Sequence, residues 1–363
     1  MNLAIFIQHY FPYGGLQRDA MRLATAAHES GDKVTLVAST WDGPKPDNIP
    51  VRLLNSGGGS NHGKVSRFAT DCLAVLPEYD VCIAFSRVPG VPFHFCGDTC
   101  VRERVLRDKP AVARLLPRYR ALLANEEAVF GASSDTHIFF LSEHGIPPYK
   151  KHYGLLPERF TVLPPWLKKP ITQQSDRQET RQRLCAEMGI RQDEPLLLFV
   201  ASNYRCKGLD RAIQGVAQSQ AKPINLVVCG DDKTADMKQL ASESGVNIVF
   251  AGARDDVDEW MLAADMLIHP ARMEAAGMVL TEALVQGLPV LCTENCGYAK
   301  HIADAGSVVV SEDAGAQTIA QGIDKILAER VKLSAAALDW VDSENRFQTG
   351  ETILNTMRQS TTI

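Results

Sequence analysis

Short, continuous apolar runs alternate with helix-type patterns along almost the whole chain. In the first half the runs are LAIFI (3–7), KVTLVAS (33–39), VRLL (51–54), DVCIAFS (80–86), THIFFLS (136–142) and RFTVLP (159–164). In the second half they are LLLFVAS (196–202), INLVVCG (224–230), NIVFAG (247–252), DMLIHP (265–270), LPVLCT (288–293) and SVVVS (307–311). Strands that are apolar on both faces and separated by helices are typical of parallel sheets covered on both sides. The predicted fold class is therefore α/β, with doubly wound, Rossmann-like sheets.

The two series of strands are separated by a proline-rich polar stretch from Pro164 to Ser175. A chain of 363 residues exceeds the size at which a single hydrophobic core is usual. We therefore predict two Rossmann-like domains, residues 1–165 and 166–344, facing a cleft, with a final helix at about residues 345–363 packing back on the first. In the first domain, helix patterns cover residues 16–30, 63–76, 101–130 and 143–152.

The loop after the first strand reads YFPYGGLQRD (10–19). In doubly wound sheets, ligands bind outside the carboxyl ends of the strands. Gly14 and Gly15 allow positive φ and let the backbone come close to a ligand at the amino end of the helix from Leu16, which favours an anion. A turn with no ligand is an equally good interpretation of the two glycines alone. The spacing does not match the dinucleotide fingerprint, which disfavours a hydride-transfer enzyme.

The stretch HPARMEAAGMVLTEALVQG contains Glu274 and Glu282, separated by seven residues. Ala275, Ala276 and Gly277 form a small-residue turn at the start of a helix, where backbone amides suit a diphosphate. Like charges repel, so the carboxylates are expected to accept hydrogen bonds from hydroxyl groups on either side of that diphosphate. The alternative for Glu282 alone is a first-turn residue that complements the helix dipole.

On these residues the chain resembles the retaining glycosyltransferases of family 4, which have two Rossmann-like domains (the GT-B fold) and an E-x7-E motif. SNHGK (60–64), PPYKKHYGLLPERFTVLPP and CGYAKHIADA are similar to the branch that adds a hexose α-1,3 to an inner-core heptose of bacterial lipopolysaccharide. The resemblance spans residues 3 to about 310. It implies a hexosyltransferase that uses a UDP-sugar, with UDP-glucose the first expectation, an acceptor-binding first domain and a donor-binding second domain.

The resemblance also implies roles for individual residues. Glu274 would bind sugar hydroxyls and Glu282 the ribose. The donor-binding set would be Gly14, Gly15, Asp19, Arg254, Ala275, Ala276, Gly277, Met278 and Glu282. Asp98, in FCGDTC, matches an acidic position near the acceptor, and Asn61 and His62 are further acceptor candidates. From the residues alone, Asp98 is better interpreted as a helix N-cap, and His62 as an ordinary loop histidine.

A leaving diphosphate needs positive charge, and SNYRCKGLD offers Arg205 and Lys207 directly after a strand. In the family that this chain resembles, the residues at this place are Arg-Lys-Gly, whereas this chain has Cys206 at the arginine position. Either Arg205 substitutes for that arginine or the site has lost one charge. The pattern Asp256-x-Asp258 invites a metal interpretation, but N-capping of the following helix is favoured. We expect no metal and no cofactor.

The net charge of −5 gives no reason to expect a nucleic acid. One local exception lies between Arg102 and Arg120, where six arginines and one lysine are interleaved with apolar residues. The arginines are Arg102, Arg104, Arg107, Arg114, Arg118 and Arg120. This segment is typical of a membrane-surface helix, interrupted by Pro110 and Pro117, and a solvated helix flank is the alternative. The resemblance favours the membrane, because the family's lipid-linked acceptor is anchored there.

Nine cysteines scattered through apolar runs, and an amino terminus without a basic leader, indicate reduced thiols in a cytoplasmic protein. We expect the chain at the inner face of the inner membrane. Two other classes stay open. A nonenzymatic nucleotide-sugar-binding protein would keep the glycines and glutamates and lose the cationic pair, and Cys206 fits that pattern. A sugar epimerase or a phosphorylase would share the architecture, without specific support.

Overall fold

The structure is a computed structural model that describes residues 1–12, 14–54, 61–167, 177–342 and 348–360. The chain forms two compact units. Unit 1 comprises residues 1–164 and 348–363, and unit 2 comprises residues 165–347.

Unit 1 is built on parallel strands that alternate with helices. The strands are β1 (Asn2–Phe6), β2 (His9–Tyr10), β3 (Lys33–Ala38), β4 (Thr40–Trp41), β5 (Val51–Leu53), β6 (Val81–Ala84), β7 (Phe93–Cys96), β8 (His137–Phe140) and β9 (Phe160–Val162). The helices are α1 (Gly15–Glu29), α2 (Asn61–Val75), α3 (Val101–Asp108), α4 (Pro117–Phe130) and α5 (Ile146–Tyr153). Seven strands pair in the order β5-β3-β1-β6-β7-β8-β9, and β1, β6 and β7 lie at the centre, with every side chain buried except that of Asn2.

Two features of unit 1 differ from the predicted strands. β7 is absent from the prediction, because it has only four residues, follows Pro92 and contains His94. Burial, reinforced by the charge of Arg87, lowers the pKa of His94 to about 3, so this histidine is a neutral core residue. The second feature is a separate two-stranded sheet of β2 and β4, on which the rings of Tyr10 and Trp41 stack with centroids 3.8 Å apart.

Unit 2 contains a six-stranded parallel sheet. Its strands are β10 (Leu196–Val200), β11 (Asn225–Cys229), β12 (Asn247–Gly252), β13 (Met266–His269), β14 (Val290–Thr293) and β15 (Val308–Val310). Its helices are α6 (Arg177–Met188), α7 (Tyr204–Lys207), α8 (Leu209–Gln218), α9 (Ala235–Glu243), α10 (Val257–Ala263), α11 (Met278–Val285), α12 (Ala299–Asp304), α13 (Ala316–Ala328) and α14 (Arg330–Asp342). The order β12-β11-β10-β13-β14-β15 is the Rossmann order. The predicted α/β fold class is confirmed.

The last described helix, α15 (Thr349–Ser360), belongs to unit 1 and packs against α1. Its buried face includes Ile353 and Met357, and the Arg358 guanidinium lies 2.7 Å from the Asp32 carboxylate. At its start, the Thr349 hydroxyl donates to the carbonyl of Pro164 at 3.1 Å. Residues 1–164 and α15 therefore share one core.

Candidate functional site

The turn between β13 and α11 holds the small residues predicted to face a diphosphate. Gly277 precedes the first residue of α11, Met278, with a φ of 91°. A Cβ at Gly277 would lie 2.8 Å from Leu280, so only glycine fits this turn without strain. The carbonyl of Ala276 accepts from the Tyr298 amide at 2.8 Å, which fastens the turn. The amides at the start of α11 lack partners within the helix, and that end suits an anion.

The Glu274 side chain lies at the centre of a charged cluster at the carboxyl ends of β10 and β13. The Lys207 amine is 2.8 Å from Glu274 Oε2 and 3.1 Å from the carbonyl oxygen of Met273. His269 Nε2 is 3.1 Å from the same carboxylate oxygen, and the imidazole is almost fully buried. Although each lies in a different loop or strand end, Lys207, His269 and Glu274 meet at one point.

The charge state of Glu274 follows from its neighbours. Burial alone would raise the pKa of this carboxyl, but the hydrogen bond and charge of His269, together with Lys207, lower it to about 2. Glu274 is therefore ionised near neutral pH, and His269 Nε2–H donates to it. Sequence reasoning missed His269, whose signal is a polar residue at the carboxyl end of an apolar strand.

Glu282 lies one turn into α11, beyond the helix's first turn, which contains no acidic residue. The interpretation of Glu282 as a first-turn residue that complements the helix dipole is therefore wrong. Ala275 and Ala276 fill the turn between the two glutamates, as predicted from the sequence.

The segment after β10 forms the one-turn helix α7, which ends at Lys207. Arg205 is exposed, and the Cys206 thiol donates to the Met273 carbonyl at 3.5 Å. A cation that sequence reasoning missed lies beside them, because the Arg272 guanidinium donates to the carbonyl of Arg205 at 2.7 Å. The same guanidinium forms a bidentate pair with Asp210, with both distances 2.8 Å.

Arg254, a predicted nucleotide contact, is paired with carboxylates of unit 2. Its guanidinium pairs with Asp256 at 2.5 and 2.7 Å and with Glu187 at 2.7 Å. Asp256 occupies the N-cap position of α10 without capping it, because its carboxylate faces Arg254. The predicted N-cap hydrogen bond is therefore wrong, and Arg254 is held by carboxylates of its own unit.

In unit 1, the two glycines after β1 lie at the start of α1, and only Gly14 is closely packed. Gly14 is the N-cap of α1 with a φ of −81°, so it does not use the positive φ that glycine allows, and Gly15 is the first residue of the helix. A Cβ at Gly14 would overlap the Gln17 side chain, whereas a Cβ at Gly15 would meet nothing within 4 Å. Asp19 is buried on α1, with its carboxylate 3.3 Å from the Arg22 guanidinium.

The Asp98 loop follows β7 and lies beside the start of α1, since a Cβ on Gly97 would be 2.6 Å from Leu16. Asp98 is not the predicted N-cap, because α3 begins after Cys100 and the Asp98 carboxylate, 66% exposed, lies 3.5 Å from Arg87.

A fully buried carboxylate caps α3 instead. The Glu126 carboxylate accepts from the amides of Val101 and Arg102 at 2.7 and 3.0 Å and from the Tyr153 hydroxyl at 2.7 Å. Arg87 completes the arrangement at 3.2 Å from Glu126. The loop that carries Asp98 therefore rests on a buried ion pair.

The basic segment of unit 1 is interrupted at the two prolines, as predicted, since α3 ends at Asp108 and α4 begins at Pro117. The arginines Arg104, Arg107, Arg114, Arg118 and Arg120 are exposed, while Arg102 is half-buried over the Tyr153 ring. Exposed apolar side chains lie among them, including Leu115 at 75% and Val112 at 65%. Val105 points into the core instead. The segment thus presents positive charge and apolar surface together.

Three further observations concern predicted partners. The backbone of Asn61 and His62 begins α2, and their side chains lie outside the described residues. Within the described part of the chain, His, Cys, Asp and Glu residues form no group of three or more that could hold a metal ion. None of the helices described here has the length and apolar character needed to cross a membrane.

Comparison with known proteins agrees with this architecture. The sequence profile described as "Glycosyl transferases group 1" matches residues 180–339. The chain is 34% identical to the lipopolysaccharide glucosyltransferase WaaG of Escherichia coli (strain K12) over 354 residues, covering 96% of this chain and 94% of WaaG. The crystal structure of WaaG superposes with a TM-score of 0.89 over 98% of this chain and 99% of that structure. Anabaena Alr3699/HepE, solved with UDP and glucose, shares the fold at 16% identity, with a TM-score of 0.75 over 99% of this chain and 100% of that one.

The two Rossmann-like units, with a charged cluster and a glycine turn at the strand ends of unit 2, define a glycosyltransferase of the GT-B class. The chain belongs to the group 1 glycosyltransferase family that includes WaaG.

Proposed function

We propose that this glycosyltransferase moves a hexose from a UDP-sugar, UDP-glucose in the first place, to an inner-core heptose of lipopolysaccharide. The observation that carries the proposal is the Glu274 carboxylate, held by Lys207 and His269 beside the amino end of α11. The identity to WaaG across almost the whole chain supports the lipopolysaccharide core as the acceptor.

Unit 2 is proposed to bind the donor. The diphosphate would lie against the amides of Gly277 and Met278, and Lys207 would neutralise the charge that develops on it. Glu274 would accept hydrogen bonds from sugar hydroxyls and Glu282 from the ribose. A pKa of about 2 makes Glu274 a poor proton carrier near neutral pH, so hydrogen bonding suits it better than general acid or base catalysis.

The proposed reaction follows from the roles given to these groups. The bond between the anomeric carbon and the phosphate oxygen breaks, and the acceptor oxygen bonds to the same face of the sugar. Because the acceptor oxygen enters on the face that the phosphate leaves, the anomeric configuration is retained, and the acceptor proton passes to the departing phosphate without a metal. The protein contributes positioning and charge stabilisation. Unit 1 is proposed to bind the acceptor near Asp98, with Gly14, Gly15 and Asp19 contacting the donor.

The basic segment is proposed to bring the enzyme to the lipid-linked acceptor. Exposed arginines attract anionic lipid headgroups, and side chains such as Leu115 enter the apolar boundary. We therefore propose that the protein is peripheral at the cytoplasmic face of the inner membrane.

The test measures UDP release from UDP-glucose, UDP-galactose and their N-acetyl forms. Each reaction contains a chelator and is run with and without heptose-bearing core lipopolysaccharide that lacks outer hexoses. We expect acceptor-dependent release from one donor. Lys207→Gln should lower kcat by about 10², while Lys332→Gln, which removes a surface amine from unit 2, should leave it unchanged.

Tight UDP binding without release from any donor would refute the transferase proposal. It would favour the nonenzymatic nucleotide-sugar-binding alternative, for which the thiol of Cys206 in place of a guanidinium is the supporting observation.

A further inference from the structure

Several hydrogen bonds and an ion pair join the one-turn helix α7 to the segment that carries Glu274. The Arg272 amide donates to the Cys206 carbonyl at 2.9 Å. In the other direction, the Lys207 amine donates to the Met273 carbonyl at 3.1 Å before it meets the Glu274 carboxylate. The position of the Lys207 amine therefore depends on how these two segments are held together.

Arg272 is the side chain that joins them most extensively. Its guanidinium donates to both oxygens of Asp210 in the first turn of α8, and to the carbonyl oxygen of Arg205 in α7. Burial would raise the pKa of Asp210, but Arg272 lowers it overall, so the pair is charged near neutral pH. The guanidinium thus spans α7 and α8 from a third segment.

Helix α7 needs such support from outside. It has four residues, fewer than a helix requires to be stable alone. Both ends have left-handed backbone, with φ of 62° at Asn203 and 81° at Gly208, and Asn203 is a non-glycine residue at that φ. The Arg205 carbonyl lies near the carboxyl end of α7, where a cation is favourable. Arg272 gives this carbonyl a second hydrogen bond, beside that of the Gly208 amide at 3.3 Å, and places positive charge there.

We propose that Arg272 is a positioning residue that holds α7 so that the Lys207 amine stays fixed at Glu274. The proposal rests on the proposed function, in which Lys207 stabilises the leaving diphosphate. The position of Lys207 matters particularly in this chain, because the thiol of the neighbouring Cys206 adds no positive charge and Lys207 is the amine at Glu274. A lysine at position 272 cannot replace the planar fork that contacts Asp210 and Arg205 together.

The first test is a double-mutant cycle in the UDP-release assay. Arg272→Lys and Arg272→Gln should each lower kcat by about 10 to 100-fold, because a displacement near 1 Å costs that much. The KM for the UDP-sugar should change by less than about threefold, since the loss falls on the transition state. In a Lys207→Gln background, Arg272→Gln should cause no further loss. The matched control is Arg191→Gln, which removes an exposed arginine paired with Asp193 before β10.

The second test does not need activity. Hydrogen exchange of the amides of residues 203–208 should quicken in Arg272→Gln, while exchange in β11 stays at the wild-type rate. A wild type that binds UDP without transferring sugar would refute the proposed function and leave this measurement to decide the role of Arg272. Additive losses in the cycle, or unchanged exchange at 203–208, would overturn the positioning role.

Discussion

The contact between Gly208 and Pro270 makes a sharp prediction about the substitution Gly208→Ala. Gly208 lies between α7 and α8 with a φ of 81°, and a Cβ there would overlap the Pro270 carbonyl oxygen and lie 2.8 Å from its carbonyl carbon. The matched control is Gly189→Ala, because Gly189 has a φ of 65° and a Cβ there meets nothing within 4 Å. The two substitutions share the conformational penalty and differ in the neighbour.

The conformational penalty is about 1 to 2 kcal/mol in the free energy of unfolding for both variants. At position 208 the two segments must also separate by on the order of 1 Å to reach ordinary contact. The Pro270 carbonyl accepts a hydrogen bond from the Arg211 guanidinium at 3.0 Å, and losing a hydrogen bond to a charged group costs about 1.5 to 3 kcal/mol. Gly208→Ala should therefore be about 2 kcal/mol less stable than Gly189→Ala.

Thermal unfolding of unit 2 and the UDP-release assay measure the two effects. An extra 2 kcal/mol should lower Tm by about 4 to 8 °C beyond the control in a unit of this size. Because the displacement moves Lys207 relative to Glu274, kcat should fall by about 10² in Gly208→Ala and stay near wild type in Gly189→Ala. Equal losses of Tm and of activity in the two variants would refute this account of the contact.

Three further predictions concern charges. Glu274→Gln should lower the free energy of unfolding by about 3 kcal/mol above pH 4.5, because the pKa of the folded carboxyl is lowered to about 2. The difference between wild type and variant should disappear as pH falls toward 2. Urea unfolding that shows a constant difference across this range would contradict the prediction. Glu126→Gln removes the nearer, fully buried carboxylate from the Arg87 guanidinium and leaves it only the exposed Asp98 carboxylate at 3.5 Å. This should cost about 3 to 5 kcal/mol in unfolding free energy, while Glu127→Gln at the exposed neighbour should cost almost nothing. Replacing Arg114 and Arg118 with Gln should weaken sedimentation with anionic vesicles by about tenfold or more, with no change on neutral vesicles, and unchanged binding to anionic vesicles would exclude this surface.

The strand and helix alternation predicted most of the fold because buried parallel strands carry a strong local signal. β7 escaped prediction since four residues with a histidine among them give no apolar run, and the neutral state of His94 depends on a core that forms only in the folded chain. The strands β2 and β4 have only two residues each, which is too short to give a recognisable strand pattern in the sequence.

The candidate site was predictable where one segment contains it and unpredictable where distant segments meet. Glu274 and the turn that follows lie within a few residues, so their spacing indicated a diphosphate site. The bidentate pair of Arg272 with Asp210 joins residues 62 positions apart, and no local pattern marks it. Glu126 sits in a charged stretch that is typical of an exposed helix, yet it is fully buried. The carboxylate partners of Arg254 include Glu187, 67 positions away, which no local pattern marks.

The return of α15 to unit 1 has a consequence for biosynthesis. Unit 1 is built from residues 1–164 and 348–363, so the 183 residues of unit 2 are translated before the helix that completes unit 1 exists. At about 5 to 20 residues per second, that interval lasts about 9 to 37 s. The face of α1 that will receive Ile353 and Met357 is therefore open on the ribosome for the whole synthesis of its neighbour. Of the two units, unit 1 therefore begins synthesis first and is completed last.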